Sequence, residues 1–260
     1  MSLDETAPVP LPTIYLTQPV PTREAKATRA SSEWHHTQSG IDVWLGQRTV
    51  NAKAEQVLIA RVDPQRVTVR VLYAPDAPKS ARDWQAETKA DLVINGGFFD
   101  DKNRVTGLLI ADGNRFGKSY AGFGGMFSWR SVGPSLQWLR DQPYRADPSI
   151  TQAVQGFPML VVNGARIEQI GDNGEPNRRS FVALDGEGRL LFGVTQLAQW
   201  TLNDLADFLD QADDLNIVSA LNLDGGASSG LWLGGAQADA SMNSFEVVPA
   251  VIAVWGGRGK

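Results

Sequence analysis

The sequence predicts an α+β fold, in which a mixed, partly parallel β-sheet carries flanking helices within a single domain. Two stretches follow the order strand, helix, strand, and each ends in an Asn-Gly-Gly or Asp-Gly-Gly corner. A third observation is the segment 67–73, which alternates apolar and polar residues with the period of a half-buried strand. A chain of 260 residues with 42% hydrophobic and 20% charged residues can bury one sizeable core.

The chain divides into a lead-in and a folded unit. Residues 1–38 hold much of the proline, together with Ser, Thr and Gln, and this composition predicts an extended or disordered segment. Residues 39–260 carry the regular patterns and form the predicted domain. Its opening apolar runs, 40–44 and 57–62, are typical of strands.

The first strand-helix-strand unit begins with the alternating segment 67–73. Ser80, followed by Asp83 three residues later, predicts a helix N-terminus, and the helix extends towards Ala90. The apolar run 92–94 predicts a buried strand. This strand ends in Asn95-Gly96-Gly97, the first glycine corner.

The second unit repeats this order. After a strand over 189–195, Thr201 and Asp204 form the same helix-start pattern, and a buried strand over 217–223 ends in Asp224-Gly225-Gly226. Crossovers between parallel strands are right-handed, and ligands bind outside the carboxyl ends of such strands. We therefore expect both glycine corners to lie at the same rim of the sheet and to face one cleft.

Two hairpins are also predicted. Asn163-Gly164 is a typical two-residue hairpin turn after the strand-like run 159–162. A second hairpin joins 181–184 to 189–192. Asp185 and Glu187 lie in its turn, so we expect them to be turn residues and not catalysts.

Composition excludes several kinds of chemistry. Cysteine is absent, which removes disulfides, thiol nucleophiles and thiolate metal sites. The two histidines, His35 and His36, fall in the lead-in, so catalysis deeper in the chain must use carboxylates, hydroxyls, Arg, Lys or Tyr. A net charge of −5 argues against a nucleic-acid partner. No run approaches the ~18 apolar residues of a membrane span.

The segment 224–229 combines one carboxylate with glycines and two hydroxyls. Glycines let a backbone approach a ligand closely, and successive N–H groups in a turn form an anion-binding nest. We expect Asp224 to stay ionised there, because hydrogen bonds to the charged form lower its pKa. Arg178 and Arg179 precede a strand, so one should point inward and the other outward, and Arg suits a bidentate grip on phosphate.

Other interpretations of these residues stay open. The stretch 226–230 matches the G-x-S-x-G nucleophile elbow of serine hydrolases, but it lacks a following helix and a later histidine. It also lacks the lysine of a phosphate-binding P-loop. The spacing of Asp100, Asp101, Asp112 and Asp224 matches neither an EF-hand nor a zinc pattern, so we expect no metal and no other cofactor.

Four blocks in order resemble the phosphodiester glycosidase family, which includes the lysosomal uncovering enzyme and bacterial proteins labelled exopolysaccharide-related. The blocks are VINGGFFD (93–100), GFPMLVVNG (156–164), RSFVA (179–183) and LNLDGGASS (221–229). The resemblance covers residues 90–255 and implies hydrolysis of a sugar-1-phosphodiester to a sugar and a phosphomonoester. The departures from the usual family pattern are Ala183, Ala227, Gly230 and the segment 195–200, which leave the sugar specificity open.

The resemblance also implies roles for particular residues. Asp224 would be the nucleophile or general base, Arg179 with the loop 225–229 would grip the phosphate, and Asn95 would orient sugar hydroxyls or water. A phosphomonoester leaves readily, so such chemistry needs little general-acid help. Asp100 and Glu175 are candidates for a second carboxylate. The expected substrate-binding residues are Gly96, Gly97, Phe98, Gly225, Gly226, Ser228 and Ser229.

The competing hypothesis is a module that binds a carbohydrate or a phosphoglycan without cleaving it. Trp200, Trp232 and Phe98 could then serve as stacking platforms for sugar rings. A role in bacterial polysaccharide or envelope glycan metabolism predicts a periplasmic or otherwise exported protein, although the first 20 residues carry no export signal. The oligomeric state stays open.

Overall fold

The computed structural model describes residues 34–36 and 39–257. Most of the predicted lead-in therefore lies outside the described residues. In the described part, seventeen strands accompany two α-helices, α1 (Ala81–Thr88) and α2 (Leu202–Gln211), and two short 3₁₀ helices, Gly226–Ser228 and Gly235–Ala240. The strands are β1 (His35–His36), β2 (Ile41–Val50), β3 (Lys53–Val62), β4 (Val67–Tyr73), β5 (Leu92–Asn95), β6 (Leu109–Ala111), β7 (Asn114–Phe116), β8 (Gly125–Arg130), β9 (Gly133–Trp138), β10 (Gln152–Gly156), β11 (Met159–Val162), β12 (Ala165–Arg166), β13 (Ser180–Asp185), β14 (Leu190–Thr195), β15 (Ile217–Asn222), β16 (Leu231–Leu233) and β17 (Ala250–Gly256).

These strands form three sheets. The eight-stranded sheet has the order β1-β2-β3-β14-β13-β15-β11-β12, the five-stranded sheet has the order β7-β6-β10-β8-β9, and the four-stranded sheet has the order β16-β5-β17-β4. Every strand pairing within the described residues is antiparallel. The prediction of one mixed, partly parallel sheet is therefore wrong.

The reason for this error lies in which strands become neighbours. Both strand-helix-strand units exist, and the two strands of each unit run in the same direction. In the first unit, however, β17 is inserted between β4 and β5 and pairs antiparallel with both. In the second unit, β13 is inserted between β14 and β15 in the same way. In the first unit the inserted strand comes from a distant part of the chain, whereas in the second unit it is the hairpin partner that directly precedes β14.

The predicted helix starts are confirmed. The Ser80 hydroxyl accepts a hydrogen bond from the N–H of Asp83 (3.2 Å) and caps α1. At α2, Thr201 and Asp204 form a reciprocal capping box, in which each side chain accepts from the other residue's main-chain N–H.

The predicted hairpins are also confirmed. Asn163 and Gly164 both have positive φ, 53° and 72°, as a two-residue turn between β11 and β12 requires. In the turn between β13 and β14, the Asp185 carboxylate accepts from the N–H groups of Glu187 and Arg189, both at 2.9 Å. Asp185 is therefore a turn residue, as predicted.

The three sheets share one hydrophobic core. Buried side chains from the eight-stranded sheet, including Val182 and Phe192, pack against Ile94 and Ile252 of the four-stranded sheet and Phe127 of the five-stranded sheet. Helix α2 covers the opposite face of the eight-stranded sheet, and α1 covers the outer face of the four-stranded sheet. This arrangement joins the carboxyl ends of β5 and β15, which belong to different sheets. Neither helix of the described part is long and apolar enough to cross a membrane.

Candidate active site

The two glycine corners meet in the structure, and they come from different sheets. The N–H of Asp224 donates to the carbonyl of Gly96 (3.2 Å), and the side-chain amide of Asn95 donates to the carbonyl of Asp224 (2.7 Å). Asn95 ends β5 in the four-stranded sheet, whereas Asp224 follows β15 of the eight-stranded sheet. The Asp224 carboxylate therefore lies where the two sheets join.

Asn95 is a buried bridge between these corners. Its exposed fraction is 0%. Its amide donates to the carbonyls of Gly96 and Asp224, and its Oδ1 accepts from the Ser180 hydroxyl (2.8 Å) and the Gly230 N–H (3.1 Å). The protein thereby uses both donors and both lone pairs of the side chain. In this structure Asn95 positions Asp224 and has no donor or acceptor left for a sugar hydroxyl or a water.

The Asp224 carboxylate is partly buried at the junction. The N–H of Gly225 donates to its Oδ1 (3.0 Å), and the Ser228 hydroxyl lies within hydrogen-bond reach. Burial raises the pKa of Asp224 to about 6, and the nearby Glu246 carboxylate also raises it. The expectation of a lowered pKa is wrong, because the loss of hydration outweighs the hydrogen bonds. A pKa near neutrality suits proton transfer, and the group remains mostly ionised at pH 7.

The glycine loop does not present the expected anion nest, because the protein uses all but one of the N–H groups over residues 224–229. Gly226 donates to the carbonyl of Arg178 (2.9 Å), while Ser228 and Ser229 donate to the carbonyls of Gly225 and Gly226 (3.3 and 3.2 Å). The Ser229 hydroxyl is fully buried and has no partner among the described residues. Gly226 has φ +63°, which glycine adopts without strain. The loop mainly shapes the corner, and the Ala227 N–H is its one main-chain donor without a partner among the described residues.

The glycines of the first corner are buried packing positions. A Cβ on Gly97 would collide with the Gln155 carbonyl oxygen of β10, and one on Gly96 would lie 3.0 Å from the Ala250 carbonyl oxygen. Both glycines therefore allow strands to approach closely, and neither faces open space. Phe98, which follows them, is half-buried.

Both arginines before β13 are buried, with 4% of Arg178 and 9% of Arg179 exposed, so the expectation that one points outward is wrong. The Arg179 Nε and Nη2 donate to the carbonyls of Trp200 (3.2 Å) and Glu175 (2.7 Å). Its Nη1 has no partner among the described residues and lies 4.0 Å from where a Cβ on Gly225 would be. Burial lowers the pKa of the Arg179 guanidinium below its ordinary value. Arg179 therefore keeps its Nη1 free to donate close to the corner that carries Asp224.

Arg178 lies beside the same loop, since its carbonyl accepts from the Gly226 N–H. Its Nη2 donates to the Asn243 carbonyl (3.1 Å), and the Phe245 ring covers its guanidinium at 4.1 Å. The Nη1 of Arg178 is buried without a partner in the described part of the chain. Arg178 thus connects the glycine loop to the segment 243–247, which the sequence did not point to.

The expected second carboxylates are engaged elsewhere. The Asp100 carboxylate accepts from the N–H groups of Lys102 and Arg104 and from the Arg104 side chain, at 2.8–2.9 Å. These bonds, led by the Arg104 N–H, lower the pKa of Asp100. Glu175 is exposed, and its carboxylate accepts from Asn173 (3.1 Å).

The acidic residue that does lie beside Asp224 is Glu246, which sequence reasoning missed. Ser228 donates its hydroxyl to the Glu246 Oε1 (2.7 Å). Glu246 follows no periodic pattern and no glycine corner, so nothing local distinguishes it from a surface glutamate. Its position depends on the fold of the chain back onto the loop.

The serine-hydrolase alternative has no geometric support. Ser228 lies in a 3₁₀ turn, not at the start of an α-helix, and its hydroxyl donates to a carboxylate. His35 and His36 lie on β1, five strands away from β15 in the same sheet. This separation amounts to about 24 Å at the usual strand spacing, which is too far for a catalytic base.

The aromatic residues that the binding-module hypothesis singled out have unequal access to solvent. Trp200 is fully buried and donates its indole N–H to the Lys53 carbonyl (3.1 Å), so it cannot stack on a ligand. Trp232 and Phe98 are half-buried. By contrast, Phe245 beside the corner is 77% exposed.

Acidic side chains do not gather into a metal site in the described residues. No group of three or more His, Cys, Asp or Glu there could hold a metal ion. Asp112, one of the four aspartates considered above, is paired with Arg70 and Gln152 and has a lowered pKa, chiefly through its bond to Arg70.

Comparison with known proteins identifies the family to which a chain with this fold and these glycine corners belongs. The sequence profile of the phosphodiester glycosidase family matches residues 88–255, which include both glycine corners, Arg179 and Glu246. The chain belongs to the phosphodiester glycosidase family.

A relative and two solved structures are similar to this chain. Protein YigE from Escherichia coli K12 is 27% identical over 165 residues, which span 59% of this chain and 63% of that protein. The catalytic domain of zebrafish N-acetylglucosamine-1-phosphodiester alpha-N-acetylglucosaminidase has a TM-score of 0.65 at 20% identity, covering 84% of this chain and 85% of that domain. A hypothetical protein from Synechocystis has a TM-score of 0.62 at 14% identity, covering 84% of this chain and 62% of that protein. The two structures share the fold with this chain.

Proposed function

We propose that this protein hydrolyses a sugar-1-phosphodiester and releases a sugar and a phosphomonoester. The observation that carries the proposal is the Asp224 carboxylate at the junction of two corners, with the free Nη1 of Arg179 close to the same corner. Membership of the phosphodiester glycosidase family supports the same chemistry.

The proposed reaction breaks the bond between the anomeric carbon and the phosphate oxygen. The electron pair of this bond leaves with the phosphate, while positive charge develops at the anomeric carbon. Asp224 acts on the anomeric centre as the nucleophile or as the base for water, and Arg179 binds the departing phosphate by a charge-assisted hydrogen bond. Asn95 holds Asp224 in place. The absence of a nearby histidine costs little, because a phosphomonoester leaves without strong acid help.

The test compares wild type with Asp224→Asn on a synthetic methyl diester of N-acetylglucosamine-1-phosphate and on the corresponding glucose diester. We expect wild type to release free sugar and methyl phosphate from at least one diester, and Asp224→Asn to bind it with little turnover. Absence of turnover by wild type on both diesters would refute the proposal.

A binding module is the second candidate function. The exposed ring of Phe245 beside the corner favours it, because an exposed aromatic face can stack on a sugar. Binding of a diester in calorimetry without release of sugar by wild type would favour this alternative. A Phe245→Ala variant should then lose most of the binding.

We further propose a place for the reaction in bacterial polysaccharide or envelope glycan metabolism, in the periplasm or another exported location. The phosphodiester-linked sugars of such glycans fit the proposed chemistry. Fractionation of cells that express the whole gene product, probed with an antibody, tests the location. Recovery in the cytoplasmic fraction alone would contradict it.

A further inference from the structure

The segment 243–247 folds onto the glycine loop and brings a second carboxylate to Asp224. The N–H groups of Phe245 and Glu246 both donate to the Ala227 carbonyl, at 2.8 and 3.2 Å. The Ser228 hydroxyl donates to the Glu246 Oε1 (2.7 Å) and lies within hydrogen-bond reach of Asp224. The two carboxylates therefore share one hydroxyl group.

This pairing is held from several directions. Arg178 binds the Asn243 carbonyl and packs under the Phe245 ring. Further along the same segment, the Ser244 hydroxyl accepts from the N–H of Ala81 (3.1 Å) at the start of α1. The glutamate is thus presented by a segment anchored to the loop, to Arg178 before β13 and to α1, and its position beside Asp224 does not depend on a single contact.

The two carboxylates differ in access to solvent. Asp224 is partly buried in the corner, whereas Glu246 is exposed. Both carboxylates lie close to the same Ser228 hydroxyl, and the Glu246 charge contributes to the raised pKa of Asp224. A glycoside hydrolase uses a pair of neighbouring carboxyl groups, one acting at the anomeric carbon and one exchanging a proton with water or the leaving group. The exposed member of the pair is the one that incoming water reaches.

We propose that Glu246 is the second catalytic carboxylate and accepts the proton of the attacking water, a role that rests on the proposed hydrolysis. Water gives one proton to Glu246 as its oxygen bonds to the anomeric carbon. If water attacks directly, the bond from that carbon to the phosphate oxygen breaks. If Asp224 has first displaced the phosphate, the bond from that carbon to the Asp224 oxygen breaks instead. In both cases the electron pair stays on the departing oxygen. Asp224 thereby acts at the anomeric carbon, and Glu246 accepts the proton. The Ser228 hydroxyl holds the two carboxylates next to each other.

The test uses the full chain and the methyl diester that wild type turns over. We expect Glu246→Gln to lower kcat by about 10²- to 10⁴-fold, the usual contribution of a general base, with a small change in KM. Azide is a nucleophile that needs no deprotonation, so sodium azide should restore turnover to this variant and yield a glycosyl azide. Glu246→Asp keeps the carboxylate and should retain part of the activity without azide.

Glu87→Gln is the matched control, since Glu87 lies exposed on α1 and pairs only with Lys79 at 3.4 Å in the described structure. It should behave like wild type. A Glu246→Gln variant with wild-type kcat, or a slow variant that azide does not rescue, would overturn the role of Glu246 while wild-type and Asp224→Asn kinetics still support the hydrolysis. A wild type without turnover overturns both proposals. Melting temperatures close to that of wild type exclude misfolding as the cause.

Discussion

Asp224 is partly buried and, in the proposed reaction, acts in its ionised form, and these two properties oppose each other energetically. Its carboxylate sits where burial raises the pKa to about 6, and the reaction proposed above uses its ionised form. Ionisation of this group in the folded protein therefore costs free energy that an exposed aspartate does not lose. Such a cost is typical of functional sites, where a reactive group is held in an environment that does not favour its stability.

Replacing Asp224 with asparagine should stabilise the protein at pH 7. The folded-state pKa of about 6 lies above the ordinary value of 3.8, so the contribution of Asp224 to stability is largest below pH 3.8 and falls as pH rises through 6. Asparagine does not ionise, so the variant does not lose this stability as the pH rises. The loss in wild type amounts to at most about 3 kcal/mol. Urea unfolding at pH 4 and pH 7 measures the effect. The free energy of unfolding of the variant relative to wild type should increase between these pH values, and an unchanged difference would contradict the raised pKa.

Arg179 should not tolerate replacement by lysine. Two of its guanidinium nitrogens are committed to the carbonyls of Trp200 and Glu175, which leaves Nη1 free close to the corner. A lysine cannot keep both anchors and also present a donor at that point. We expect kcat/KM for the diester to fall by about 10- to 100-fold, the loss of one charge-assisted hydrogen bond. Arg82→Lys, at an exposed position of α1, is the control and should have wild-type kinetics.

The junction of β5 with the loop after β15 is the structural unit on which the site depends. Asn95 alone satisfies the Ser180 hydroxyl, the Gly230 N–H and the Asp224 carbonyl across two sheets. A second anchor acts on the segment 195–200. The buried Glu55 carboxylate accepts from the N–H groups of Gln196, Leu197 and Gln199, at 2.5–3.1 Å, and so shapes the loop that leads to Trp200.

Removing the Asn95 side chain should affect both stability and activity. Asn95→Ala leaves several buried polar groups without partners, so we expect the free energy of unfolding to fall by about 3 kcal/mol and turnover to decrease sharply. Ser180→Ala removes one hydroxyl from the same network and should cost about 1 kcal/mol with little change in kcat. Chemical denaturation and diester kinetics measure both effects. Equal costs for the two variants would show that Asn95 does not bridge the corners.

The helices and hairpins could be predicted from the sequence because their signals are local. Ser80 with Asp83, Thr201 with Asp204, and Asn163 with Gly164 each act over at most three residues, and the structure has the expected elements at these places. The pairing of strands could not be predicted in the same way. The pairings of β17 with β4 and β5, and of β13 with β15, are contacts between strands that are not neighbours along the chain, and strand patterns do not specify such partners.

The three sheets and both helices pack around connected hydrophobic clusters within the described residues. Such a core is expected to unfold as one cooperative unit, because removing any sheet exposes apolar surface of the other two. The glycine corners lie at a junction between sheets, so the site should be lost together with the fold and not before it.

One cooperative transition is therefore predicted for the isolated protein. Far-UV circular dichroism, which reports the strands, and tryptophan fluorescence, which reports residues such as Trp44 and Trp200 in the core, should give the same midpoint in urea. Loss of diester turnover should follow the same curve. Two separated transitions would contradict a shared core.

The order of residues was sufficient to locate both α-helices and about half of the strands, to identify the two glycine corners, and to relate the chain to the phosphodiester glycosidase family, because these features depend on neighbours along the chain. The placement of β17 between β4 and β5, the raised pKa of Asp224 and the approach of Glu246 arise from contacts between segments that are not neighbours in sequence. Burial and charge proximity depend on the packing of the three sheets, and no local pattern encodes that packing.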